Sequence, residues 1–73
     1  MTKLGLYLAQ KSVNKAEVGR KTGLTKARMN ELTLNKSSHL RGKELYLIAL
    51  AIDVDPCELL KALYGDVKLK SQK

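Results

Sequence analysis

Residues 14–36, NKAEVGRKTGLTKARMNELTLNK, constrain this chain more than any other stretch. Asn14 is placed to cap a helix, and Glu17 three positions later has the spacing of a capping box. Gly23 supplies a residue that tolerates positive φ, which a helix needs where it stops abruptly. Thr25 then caps a second helix, predicted from Lys26 to about Leu34. A connection this short holds two helices at a fixed angle, the geometry of a helix-turn-helix unit.

The rest of the chain supplies helices to pack against that unit. The 73 residues suffice for one domain, and with no Phe or Trp its core must be aliphatic. A single core of this size supports about 3–5 kcal/mol of stability. KLGLYLAQK at 3–11 predicts a first helix with Leu4, Leu8 and Tyr7 on its apolar stripe, weakened by Gly5. Val13 precedes the Asn14 cap as a hydrophobic staple. In the second helix Val18 points inward. Gly19 allows close approach of the third helix, and Lys15, Arg20 and Lys21 face out. In the third helix Met29 and Leu32 define the inward direction. That turns Ala27, Asn30 and Glu31 outward, flanked by Lys26 and Arg28. Asn35 is expected to end the helix in a left-handed conformation. Leu40 anchors the loop at 37–43.

A fourth helix is predicted at about 42–52 and is apolar nearly all round. Leu45, Ile48, Ala49 and Ile52 form one face, and Tyr46, Leu47 and Leu50 the other. A small domain readily buries only one of the two. Asp55-Pro56-Cys57-Glu58 starts a fifth helix, with Leu59, Leu60, Leu63 and Tyr64 along it and Gly65 at its end. The domain is expected to span residues 1–65, with 66–73 a flexible basic tail.

Charge is unevenly distributed. Of a net +7, residues 1–43 carry ten Lys/Arg against Glu17 and Glu31, a balance of +8. Residues 44–64 set Lys61 against four acids, a balance of −3. Cations gathered on the helix-turn-helix half point to a polyanionic partner such as duplex DNA.

Other chemistries find little support. His39 and Cys57 are each the only residue of their kind, so no disulfide, metal site or cofactor is expected. Cys57 is read as a semi-buried packing residue. No nucleophile has a base placed beside it, and an enzyme is not expected. No run approaches a membrane span or a signal peptide, so the expected setting is the cytoplasm.

The order and spacing of Val18, Gly19, Gly23, Leu24, Thr25, Met29 and Leu32 resemble the XRE (Cro/cI-like) family of helix-turn-helix regulators. Leu45, Ile48, Ala49, Ile52, Val54, Glu58 and Leu59 continue the resemblance, which covers about residues 4–64. It implies an all-α, compact five-helix, lambda-repressor-like DNA-binding domain whose third helix enters the major groove. Carried over by position, Lys26, Ala27 and Glu31 match base-facing positions, with Arg28 and Asn30 beside them. Asn14, Lys15, Thr25, Asn35 and Lys36 are the implied phosphate contacts. Three departures stand out. Thr33 and Leu8 occupy positions where the family often pairs an acid with a base. Asn35 stands for the usual Gly, and the following loop lacks the usual Pro.

The resemblance implies a small transcriptional repressor, bound as a homodimer to a two-fold site. Tyr46, Leu47 and Leu50, extended by Val67 and Leu69, offer a self-association surface. The alternative is that the fifth helix and tail fold back over them. Two rival functions use the same fold. One is the antitoxin of a toxin–antitoxin pair, disfavoured by the shortness of the segment after Asp66. The other is a protein-interaction module without DNA binding.

Overall fold

The computed structural model describes residues 1–70, which form five helices and no strand. These are α1 (Lys3–Gln10), α2 (Lys15–Thr22), α3 (Lys26–Leu34), α4 (Gly42–Ala51) and α5 (Pro56–Tyr64). The predicted limits of all five hold to within a residue or so. Core residues come from every helix: Leu4 and Leu8, Val18, Met29 and Leu32, Leu45, Ile48 and Ala49, Leu59 and Leu63. Tyr7, Val13, Leu24, Leu40 and Ile52 pack around them. α1 lies against α3 and α5, and α4 lies against α2 and α5.

Capping side chains explain where α2, α3 and α5 begin. Asn14 Oδ1 accepts from the Ala16 and Glu17 amides at 2.8 and 3.2 Å. Thr25 Oγ1 accepts from Arg28 N–H at 3.1 Å, and Asp55 Oδ1 from Cys57 N–H at 2.9 Å. The Glu17 carboxylate does not complete a box; it turns forward to pair with Arg20, one turn on along the exposed side of α2. Gly23 takes φ +81°, the left-handed stop its position predicts.

Asn35 does not. It is extended, with φ −95° and ψ 108°. Its Oδ1 accepts from the Ser37 backbone N–H (3.0 Å) and hydroxyl (2.7 Å), a local turn that competes with a left-handed cap. Cys57 is exposed rather than semi-buried, because residues two and three places on from the Asp55 cap turn outward while Leu59 turns in.

Thr2 joins the start of the chain to α3. Its hydroxyl accepts from Gly5 N–H at 3.0 Å and donates to Leu32 O at 2.7 Å. Its own N–H donates to Thr33 O at 2.9 Å. The start of α1 is thereby clipped to the end of α3. Leu8 and Thr33 are both almost fully buried, and the Thr33 hydroxyl donates to Met29 O at 2.8 Å. A threonine satisfied by its own helix needs no buried charge opposite it.

Past Gly65 the chain has no regular structure up to residue 70, and the Asp66 carboxylate pairs with Lys3 Nζ at 2.9 Å. The last part of the expected tail, 71–73, lies outside the described residues. Tyr46 and Leu50 remain 54% and 55% exposed and Leu47 is half-buried, so among the described residues nothing folds back to cover that face.

Candidate nucleic-acid interface

α3 is held by its inward residues and presents what is left. With Met29, Leu32 and Thr33 buried, Lys26, Ala27, Asn30 and Glu31 are all exposed. The turn before α3 is tight because Gly19 has no side chain. A Cβ there would stand 3.2 Å from Leu24 O, a tight approach to backbone, and 3.5 Å from Met29 Cγ, in ordinary contact. Between α2 and α3 runs an open groove of about 840 Å³, lined among others by Asn14, Lys15, Arg20, Lys26 and Asn30.

The expected phosphate-contact residues surround this face, but several of their polar atoms are already engaged. The side-chain oxygens of Asn14 and Thr25 accept from their own helices. Asn35 Oδ1 is held by Ser37. Lys15 is half-buried and reaches across to α3, where Nζ stands 3.4 Å from both Asn30 Oδ1 and Thr33 Oγ1. Lys26 and Lys36 project from the surface.

Arg28 is the marked exception. The sequence groups it with the base-facing residues; in the structure its guanidinium is turned onto α4. Nε donates to Glu44 Oε2 at 2.7 Å and Nη2 to Glu44 Oε1 at 2.8 Å, a two-pronged ion pair. Nη2 also donates to His39 O at 2.8 Å, and Nη1 to Glu31 Oε1 at 3.2 Å. Glu44 Oε1 in turn accepts from Arg41 N–H at 2.9 Å, closing the first turn of α4. Glu44 is buried. The Arg28 hydrogen bonds hold its carboxyl below the ordinary carboxylate range, against the opposite push of burial. Glu44 raises the Arg28 guanidinium further above its already high value.

Sequence reasoning missed Glu44. An acid in the first turn of an otherwise apolar helix, three residues after Arg41, was the available signal. Among the described residues no group of three or more His, Cys, Asp or Glu could hold a metal ion, and no helix is long and apolar enough to cross a membrane.

Two capped helices at a Gly23 turn, with an exposed polar and basic second helix, define a helix-turn-helix DNA-binding domain. The family model for the Cro/C1-type helix-turn-helix DNA-binding domain matches residues 3–63, most of the chain. The protein belongs to that family, in agreement with the resemblance its sequence carries. No curated protein and no solved structure gives a significant match.

Proposed function

We propose that this protein is a sequence-specific duplex-DNA-binding repressor that places α3 in the major groove. The observation that carries this reading is the outward face of α3: Lys26, Ala27, Asn30 and Glu31 exposed together on a helix whose other side is core. Lys26 suits guanine O6/N7, Ala27 a thymine methyl, and Glu31 cytosine N4. Asn30 suits adenine N6/N7, since its Oδ1, 3.4 Å from Lys15 Nζ, keeps a second lone pair. Lys15, Lys36 and the first-turn amides that the Asn14 and Thr25 caps do not engage, those of Lys15, Lys26 and Ala27, meet phosphates, with Asn35 at the edge of the footprint.

One domain of this size reads only a few base pairs, so the working form is a two-fold dimer on half-sites about 34–36 Å apart. Exposed Tyr46 and Leu50, with Leu47 between them, support self-association through α4. The same apolar face also supports the second reading, a module that binds another protein.

Selection from a library of randomised duplexes tests the proposal. A repressor of this kind enriches one two-fold symmetric sequence. Recovery of an unenriched library alongside stable capture of a protein partner supports the second reading instead.

A further inference from the structure

The Glu44–Arg28–Glu31 cluster joins a buried residue of α4 to an exposed residue of the recognition helix. Four of the five N–H donors of the Arg28 guanidinium have partners. An arginine reads guanine through two parallel N–H groups on one edge of its fork. The Nε/Nη2 edge of Arg28 is taken by both oxygens of Glu44. The Nη1/Nη2 edge is broken up because Nη2 also serves His39 O and Nη1 serves Glu31. No edge keeps two unused donors. The side chain is only 24% exposed, whereas that of Glu31 is 56% exposed.

Glu31 is the group that reaches the surface. One of its oxygens, Oε1, is held by Arg28 from one turn earlier in the helix. A carboxylate fixed at one oxygen can still accept through the other, and cytosine N4–H₂ is the base-edge donor that fits it. Glu31, the exposed member of the cluster, presents a carboxylate towards a polyanion. Such a group opposes binding at every sequence and is compensated only where a donor meets it, which is how specificity is built by repulsion.

We propose that Arg28 is a positioning residue: clamped by Glu44, it fixes the Glu31 carboxylate so that Glu31 alone reads a cytosine-containing base pair. The proposal rests on α3 binding duplex DNA. It makes Glu44, buried in another helix, a determinant of sequence preference without contact to DNA.

Relative binding across a randomised duplex library, measured for the full chain and for Glu31→Gln, Arg28→Lys and Glu44→Gln, tests it. Arg28→Lys keeps the charge and loses the fork. All three variants are expected to lose discrimination at the same single base pair, by about 5- to 150-fold, with preferences elsewhere unchanged. Combining Arg28→Lys with Glu31→Gln adds nothing to Glu31→Gln alone, and Glu31→Gln strengthens binding to unrelated duplex. If Arg28→Lys instead loses preference at a guanine that Glu31→Gln leaves intact, Arg28 reads DNA itself and the proposal is overturned.

The Arg28 Nε–H resonance of the unaltered protein gives an answer that does not depend on variants folding. It is expected to hold its position as the selected duplex is added. A large displacement overturns the proposal. Absence of any salt-dependent DNA binding by the unaltered protein is a separate outcome, which removes the DNA reading together with this one.

Discussion

Gly5 of α1 lies directly against the Thr33 carbonyl of α3, so close that a Cβ on Gly5 would overlap that oxygen. The same carbonyl accepts from Thr2 N–H, which fixes it in place. Read alone, a glycine inside a helix costs about 1 kcal/mol relative to alanine. Here the contact reverses the sign. Gly5→Ala is expected to destabilise the domain by about 1–3 kcal/mol through overpacking against backbone. Thermal melting checks this: the midpoint should fall by about 4–8 °C per kcal/mol. A raised midpoint would show that the helices can separate without loss.

At Gly23 the constraint is conformational, since nothing crowds a Cβ there and φ is +81°. Gly23→Ala should cost about 1–2 kcal/mol from the left-handed backbone alone. Gly23→Asn should cost less, because a short polar side chain tolerates that region better. Equal melting points for the two variants would contradict this.

These two glycines mark how far the fold could be read from residues. α2 and α3 were legible because Asn14, Gly23 and Thr25 act within three or four residues of themselves. Gly5 was not, since its reason lies in Thr33, on another helix. The partner of Arg28 was hidden on the same ground: helical periodicity put it at the flank of the outward face, but Glu44, sixteen residues on and past a loop, draws it towards α4. Asn35 was misread because a side chain that caps can also form its own turn with Ser37. Lys26, Ala27 and Glu31 were placed by the burial of Met29 and Leu32 on their own helix, and such local geometry survives folding.

The Arg28–Glu44 pair also gives the domain a pH dependence. The Glu44 carboxyl is lowered in the folded chain, so its contribution is present above the ordinary glutamate value of about 4.3 and is lost as pH falls through the lower folded value. Asp66 shifts the same way through Lys3, but that pair is exposed and contributes little. Glu44→Gln should therefore lower the melting midpoint by several degrees at neutral pH. The gap to the unaltered protein should close as the solution is acidified below about pH 4. A gap that stays constant with pH would show that the ionised carboxylate is not what stabilises this corner.

Leu50 is more than half exposed on α4 beside Tyr46. If α4 is the dimer surface, Leu50→Glu should convert the protein to a monomer in sedimentation. It should weaken binding to a two-half-site duplex tenfold or more while sparing a single half-site. A monomeric profile of the unaltered protein at high concentration would remove α4 as a self-association surface.

The central claim, that the α2–α3 face grips duplex DNA, is tested most directly by duplex affinity across a salt series. The logarithm of affinity should fall linearly with the logarithm of salt concentration, and Lys36→Ala should reduce the slope by about 0.9, the loss of one phosphate contact. Lys61→Ala, on α5 in the acidic half, should leave the slope unchanged. An affinity that does not respond to salt, or a slope equally sensitive to Lys61 and Lys36, would contradict the account.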